Sequence, residues 1–576
     1  MTGIYLLDYG AGNVRSLVNA VKKLGYDITY VKDPSDILKA DKLIFPGVGA
    51  FGSAMTSLHA KQYAEPLKQY LALNKPFMGI CVGMQSLFEG SDESPSVPGL
   101  GVIPGRVRLF DSTTKAVPHM GWNPTRSIQG PERAKGCGFE QDRAYYFVHS
   151  FAVPFIEGSV EAKEWALTTT QYGDEVFISS IRRGNILCTQ FHPEKSGFAG
   201  VNILKAFLDG SASLGAEFDT QLLSGASQQA AGSLSILAPT FVPEPSQDGF
   251  TKRIVACLDV RANDQGDLVV TKGDQYDVRE QAVSGDGSKG DVRNLGKPVE
   301  LARRYFEEGA DEITFLNITS FRNCPLLDMP MLEVLRRTSE TVFVPLTIGG
   351  GIKDVVDPDG QLHPALEVAG EYFRNGADKV SIGSDAVYAA EKYYALGGKG
   401  DGTSAIETIA HGYGSQAVVI SVDPKKVYVN SPEDAPTHHV IEPLQLGPNG
   451  EKYCWYQCTV SGGREGRDLD VRQLVVACQA LGAGEILLNS MDQDGMKQGY
   501  DLALIRDVKD AVSIPVIASS GAGSPQHFVD VFEKTGVEAA LAAGIFHRKE
   551  VPLEDVKQTL KKSGVRIRNT DALLAI

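Results

Sequence analysis

Three pairs of segments in the second half of the chain echo one another in the same order. "FVPLTIGGGI" (343–352) matches "SIPVIASSGAG" (513–523), and "GADEITFLNIT" (309–319) matches "GAGEILLNSMD" (482–492). The run "RIVACLDV" carries Asp259 near its end, as "AVVISVD" carries Asp423. Each segment is an apolar strand that runs into a loop, and amphipathic helical stretches lie between them. A strand–helix pattern repeated in two halves constrains the fold strongly. It predicts an eight-stranded (β/α)₈ (TIM) barrel made of two fourfold halves, over residues 250–576.

The first two hundred residues also alternate strands and helices. "GIYLLDYG", "ITYV", "KLIFPGVG" and "PFMGIC" read as strands, and "NVRSLVNAVKKLG" as a helix ending at Gly25, which predicts a separate α/β domain over 1–208. Between the two lies a stretch rich in Ser, Gly, Ala and Gln that ends in prolines. Residues 209–249 are accordingly read as a linker.

With 576 residues, 43% hydrophobic and 22% charged, the chain is long enough for two globular cores. A net charge of −15 and the lack of a basic stripe argue against nucleic acid as a partner. Eight cysteines in so long a chain do not make a disulfide framework, and Cys454 with Cys458 in "CWYQC" lacks a second ligand pair for a metal. No metal and no cofactor are expected. No apolar run approaches the ~20 residues of a membrane span, and "MTGIYLLDYGAGN" does not read as a targeting segment. A cytoplasmic protein is expected.

In a barrel of this kind catalytic groups sit at the C-terminal ends of strands. Asp259 and Asp423 occupy equivalent ends in the two halves, an arrangement suited to general acid and base work on a substrate between them. Alone, each would read rather as the cap of a turn, and it is the symmetric placement that favours catalysis. The glycine-containing loops "TIGGGIK", "VSIGSDA", "ASSGAGS" and "LAAGIF" expose backbone N–H groups of the kind that cradle phosphate, and their paired placement implies a substrate phosphorylated at both ends.

The run from "IVACLDV" through "TIGGGI", "ADKVSIGSDAV", "QAVVISVDPK" and "GAGEILLNSMDQDGMKQGYD" to "IPVIASSGAG" resembles the cyclase subunit of the imidazole glycerol phosphate synthase family. The resemblance implies Asp259 and Asp423 as the cyclase aspartates and Lys272 as the lysine of a flexible loop. It implies one phosphate site at Gly351 and Ser384 and a second at Gly495, Gly521 and Gly544, with Asp494 and Ser519 also among the substrate-binding residues. The family position matched by Asn317 is often aspartate. Four charged residues that ring the barrel entrance in the family correspond to Arg253, Glu312, Lys379 and Glu485, which would gate ammonia; as bottom-face charges they would also read as stabilising ion pairs. Insertions near 275–297, 356–365, 391–403 and 430–450 depart from the family pattern.

In "KPFMGICVGMQSLFEG" Cys81 stands between a strand and a helix with small residues on both sides, the setting of a nucleophile elbow with an exposed side chain. A nucleophilic cysteine needs a base, and "TQFHPEKSG" supplies His192 with Glu194 two residues on. If "ILCTQFH" continues as a strand, the two side chains share a face. Together with "FPGVGAFG" and "YYFVHSF", these motifs resemble a class I (triad) glutamine amidotransferase with a flavodoxin-like fold. The resemblance implies backbone N–H groups at Gly47, Val48 and Gly49 for the oxyanion, and Gln85 and Lys195 in the glutamine pocket.

The two resemblances together imply one chain that hydrolyses L-glutamine and passes ammonia to the barrel. There it would convert phosphoribulosyl-formimino aminoimidazole carboxamide ribonucleotide (PRFAR) to imidazole glycerol phosphate and aminoimidazole carboxamide ribonucleotide (AICAR). With both activities on one chain, a monomer is expected. A related bisphosphate sugar isomerase barrel would need neither the glutaminase nor the charged entrance. A non-catalytic ligand-binding scaffold would not need Cys81, His192, Asp259 and Asp423 together.

Overall fold

The computed structural model describes residues 3–10, 12–128, 130–140, 143–211, 250–262, 268–271, 296–318, 329–357 and 359–569. Two compact units divide the chain, one over residues 1–250 with 571–576 and one over 251–570. Most of the expected linker, from 212 onward, lies outside the described residues, as does Lys272.

The first unit is built on an eight-stranded sheet. Its strands run in the order Thr29–Tyr30, Ile4–Leu6, Lys42–Phe45, Phe77–Ile80, Ile186–Thr189, Glu175–Arg183, Ala166–Tyr172, Arg126–Ser127. The first five pair in parallel and the rest antiparallel. The parallel part has the 2-1-3-4-5 order of a flavodoxin-like sheet, in which sites form beyond the carboxyl ends of the strands. Phe77–Ile80 is buried on both faces, and Cys81 follows it directly. The helix expected over "NVRSLVNAVKKLG" runs Arg15–Lys23. A separate two-stranded ribbon pairs His119–Pro124 with Ala144–His149.

The second unit is the expected closed barrel. Eight parallel strands, here the first to the eighth, cover Arg253–Ala262, Glu312–Asn317, Leu346–Gly349, Lys379–Ile382, Val418–Val422, Glu485–Asn489, Val516–Ser519 and Ala539–Ala542. The first pairs with the eighth, Arg253 opposite Ala539, which closes the cylinder. Side chains alternate along each strand, so Arg253, Val255, Cys257 and Asp259 point one way. Val255 and Cys257 pack with Val419, Leu487, Ile517, Ala539 and Leu541 in one apolar cluster inside the barrel.

The foot of the barrel shows why "GAD" and its variants precede the even strands. Asp311 Oδ2 accepts the Ile254 N–H at 2.9 Å, tying the first strand to the second. Asp378 Oδ2 takes Leu346 N–H at 2.8 Å, and Glu538 Oε2 takes Val516 N–H at 2.9 Å, tying third to fourth and seventh to eighth. Before the sixth strand the corresponding residue is Gly484. A Cβ there would lie 2.2 Å from the Ser415 carbonyl oxygen, so no carboxylate fits at that place.

Candidate active sites

Cys81 takes φ 51° and ψ −108°, an unfavourable backbone for a residue with a Cβ, and is followed by a helical turn over Val82–Gln85. Its N–H donates to the Thr189 carbonyl at 2.7 Å, and its own carbonyl accepts from Met84 and Gln85. Small residues are required around it. A Cβ on Gly47 would come within 1.9 Å of the Ile80 carbonyl oxygen and 2.4 Å of the Val82 nitrogen, and one on Gly83 within 2.2 Å of the Phe45 carbonyl oxygen. The elbow is therefore wedged directly against the Pro46–Gly49 loop. In contrast to the exposed side chain expected from sequence, Cys81 is only 3% exposed, with Gln190 Nε2 donating to its sulfur at 3.5 Å.

His192 and Glu194 meet, but not along a strand. The strand Ile186–Thr189 stops short, and His192 instead leads into a 3-10 turn over Pro193–Lys195. That turn brings His192 Nδ1 to 2.8 Å from Glu194 Oε1, both side chains buried. Ser196 Oγ donates to the His192 carbonyl and locks the turn. Burial opposes a charge on the imidazole, but the Glu194 carboxylate and a hydrogen bond with Cys81 outweigh it and raise His192 to about 10. A protonated His192 between the Cys81 sulfur and the Glu194 carboxylate puts a proton donor beside the nucleophile.

The Val48 carbonyl accepts from Gly12 N–H at 2.9 Å and from the Tyr9 hydroxyl at 3.4 Å. Because a trans peptide points its C=O and N–H opposite ways, the Gly49 N–H faces away from those groups. Gln85 Nε2 donates to the Phe151 carbonyl at 2.9 Å and to Gln190 Oε1 at 3.1 Å. Lys195 is buried in the same turn as Glu194. Gln190 escaped the sequence reading because a glutamine two residues before a histidine carries no recognisable spacing.

At the barrel mouth Asp259 sits on the first strand, opposite Leu316 of the second. Burial and then the Asp494 carboxylate lift it to about 7. Asp423, just past the fifth strand, is likewise raised by burial, against which an N–H of Asn489 works by donating to Oδ1 at 2.9 Å. Asn489 Oδ1 in turn accepts the hydroxyls of Ser519 at 3.0 Å and Ser520 at 2.6 Å, so the fifth, sixth and seventh strands share one network. Asn489 and Ser520 were not singled out from sequence. Asn317 ends the second strand and is buried.

Gly351 and Ser384 follow the third and fourth strands, which are paired neighbours. Ser384 opens the helix Ser384–Ala395 and its Oγ accepts the Ser461 N–H at 3.0 Å. Gly495, Gly521 and Gly544 follow the sixth, seventh and eighth strands, also neighbours. The Gly499 N–H donates to the Gly521 carbonyl at 2.8 Å, joining two of those loops.

Arg253, Glu312, Lys379 and Glu485 each begin a strand, and they form one closed ring. Glu312 bonds Arg253 at 2.6 Å and Lys379 at 2.7 Å. Glu485 bonds Lys379 at 2.6 Å and also pairs with Arg253. Thr347 Oγ1 adds a bond to Glu312. Burial would raise Glu312, but Lys379 and Arg253 together hold it below the usual carboxylate range. From Arg253 to Asp259 is six residues of extended chain, about 20 Å, so ring, apolar cluster and aspartates are stacked along the barrel interior.

A glutamine amidotransferase class-I model matches residues 5–209 and a histidine biosynthesis protein model matches residues 253–552. The chain is 56% identical to imidazole glycerol phosphate synthase hisHF of Emericella nidulans over 99% of both chains. The chain belongs to the imidazole glycerol phosphate synthase family. The fused hisHF synthase of Schizosaccharomyces pombe is 57% identical over 98% of this chain and 99% of its own. The chloroplastic synthase of Arabidopsis thaliana is 53% identical over 98% and 89%. Like these synthases, the chain carries amidotransferase and cyclase units in one polypeptide. Among the described residues no helix is long and apolar enough to cross a membrane.

Proposed function

We propose that the chain couples glutamine hydrolysis at Cys81, His192 and Glu194 to imidazole ring formation at Asp259 and Asp423, as the imidazole glycerol phosphate synthase of histidine biosynthesis. The observation that carries this reading is the presence of both sets of groups in one chain: a buried thiol with a His–Glu partner, and two raised aspartates at the mouth of a closed barrel.

In the first unit the Cys81 thiolate attacks the glutamine carboxamide carbon. Backbone N–H groups of the Gly47–Gly49 loop receive the oxyanion, an interaction worth several kcal/mol of barrier. His192 gives its proton to the departing nitrogen, which leaves as ammonia, and a γ-glutamyl thioester remains. The now neutral imidazole removes a proton from water, whose attack on the thioester frees glutamate. Glu194 keeps the imidazole in the tautomer and orientation both steps require. Gln85 and Lys195 help form the pocket.

Ammonia in bulk water at neutral pH is mostly ammonium and a poor nucleophile, so transfer inside the protein preserves its reactivity. The ring of Arg253, Glu312, Lys379 and Glu485 is the gate, and it must loosen for ammonia to enter the barrel. PRFAR is held by its two phosphates, one at Gly351 and Ser384, the other at Gly495, Gly521 and Gly544, with Asp494, Ser519 and Lys272 as further substrate-binding residues. Ammonia adds to the ketose carbonyl, and Asp259 and Asp423 move the protons that release AICAR and close the imidazole. A protonated carboxyl near pH 7 at Asp259 suits the acid role. No metal or redox cofactor is required. The amidotransferase domain is assigned to 1–208, the linker to 209–249 and the cyclase to 250–576. With both units on one chain, a monomer fits this reading, and the cytoplasm is its proposed compartment.

One substitution tests the reading. Cys81→Ala abolishes glutamine-dependent turnover while ammonium-dependent cyclisation of PRFAR continues. Equal loss of both activities would overturn it.

A further inference from the structure

The ribbon His119–Pro124/Ala144–His149 ends in a direct cross-strand pair, His119 opposite His149. Both rings are buried, with centroids 5.3 Å apart and steeply inclined. Phe110, Phe147, Tyr172 and Phe177 pack around them. Two imidazoles in so apolar a setting are costly unless their nitrogens are matched.

The hydrogen bonds set the tautomer of each ring. His149 Nδ1 lies 2.9 Å from the Phe151 carbonyl oxygen, so Nδ1 carries the proton and Nε2 presents a lone pair. Asn123 Nδ2 lies 2.9 Å from His119 Nε2 and donates to it, so His119 carries its proton on Nδ1. Neither His149 Nε2 nor His119 Nδ1 has a hydrogen-bond partner, and both atoms are buried. The pair thus offers one unused acceptor and one unused donor on two neighbouring rings.

This pair is wired to the nucleophile. The Phe151 carbonyl that accepts from His149 also accepts from Gln85 Nε2. Gln85 donates onward to Gln190 Oε1, and Gln190 donates to the Cys81 sulfur. His149 also lies close enough to His192 for the two to repel each other's charge.

We propose that His119 and His149 form a holding site for the ammonia molecule released at Cys81. Ammonia has one lone pair, which takes the His119 N–H, and three N–H groups, one of which meets His149 Nε2. Ammonium has no lone pair and cannot accept from His119, so the site selects the neutral, reactive form. The holder must itself be neutral. Burial keeps His149 uncharged down to about pH 3, and burial with the neighbouring His149 keeps His119 well below the usual imidazole range. Neither ring protonates its guest at neutral pH. Aromatic walls keep bulk water from competing.

The inference rests on the reading that ammonia passes between the sites inside the protein, and isotope labelling separates the two. The full-length enzyme is supplied with amide-¹⁵N glutamine and PRFAR in a bath of ¹⁴N ammonium, and the ¹⁵N fraction of the imidazole product is read by mass spectrometry. The native protein is expected to return nearly pure ¹⁵N product. His149→Phe and His119→Phe raise the ¹⁴N share at least twofold, and His149→Gln, which retains an acceptor, keeps more label than His149→Phe. A phenylalanine variant that releases no glutamate is replaced by His149→Ala against His149→Gln, which makes the same comparison. Unchanged label in the His119 and His149 variants, or equal loss in His149→Gln and the variant it is paired with, would mean that the pair holds water or serves the fold only, and overturns the proposal. Bulk nitrogen in the product of the native protein would instead defeat the internal-transfer reading.

Discussion

Asp494, in the turn after the sixth barrel strand, adds its charge to burial in lifting Asp259 to about 7. Removing that charge in Asp494→Asn lowers Asp259. Whether Asp259 serves as acid or base, the limb of the pH profile that it controls moves to lower pH. The measurement is ammonium-dependent cyclisation at constant free ammonia, and an unmoved limb would separate Asp494 from Asp259.

The same shifts give the barrel an unusual stability profile. A carboxyl raised in the folded state binds its proton more readily there, so the fold gains stability as pH falls through the folded value. For Asp259 that window runs from about 7 down to the unfolded value of about 3.9. Asp311, Glu312 and Glu538 are instead held low by their cationic partners against burial. Their contribution is present above the unfolded value of about 4 and disappears as pH falls through their depressed values. Denaturant midpoints of the barrel transition therefore rise from pH 8 to about 5 and collapse below about 4. Asp259→Asn flattens the rise and leaves the collapse.

Breaking the ring at the foot of the barrel is expected to be severe. Glu312→Gln leaves a buried cation short of its partner, which costs about 3–5 kcal/mol. Adding Lys379→Met restores charge balance, so the double variant is more stable than the sum of the single losses requires. Double-mutant denaturation curves decide the matter, and strict additivity would show that the four charges do not act as a unit.

Gly47→Ala pushes a methyl group into the Ile80 carbonyl and the Val82 amide. Overpacking of this kind costs about 1–3 kcal/mol and displaces the elbow. Glutamine-dependent turnover falls at least tenfold while ammonium-dependent cyclisation is retained. Equal activity with both nitrogen sources would show that the loop and the elbow move independently.

What the sequence made legible was whatever repeats or crowds locally. Asp259 and Asp423 stand out because the two barrel halves echo each other, and Cys81 because glycines flank it. The reason for the His192–Glu194 contact is not the strand alternation expected: His192 precedes a 3-10 turn, and Glu194 within that turn folds back to its ring. The burial of Cys81 was invisible for a related cause: Gln190, just past the end of the strand Ile186–Thr189, covers it from 109 residues away. The ring of Arg253, Glu312, Lys379 and Glu485 has no spacing of its own, and only the family resemblance brought its members together. The unused donor of His119 and the unused acceptor of His149 depend on tautomers, which only their hydrogen-bond partners reveal.

The missing acid at Gly484 has a mechanical meaning. An odd strand and the even strand that follows it form four of the eight neighbouring pairs of the cylinder, and three of these four are stapled at the foot by a carboxylate; the fourth, Val418–Val422 with Glu485–Asn489, relies on main-chain bonds at that place. Among these four matched seams, the one without a staple is the first to open when the cylinder breathes. Amide hydrogen exchange should find that seam here, with Gly484 and Glu485 losing protection before Asp311 and Glu312, their counterparts in the other half.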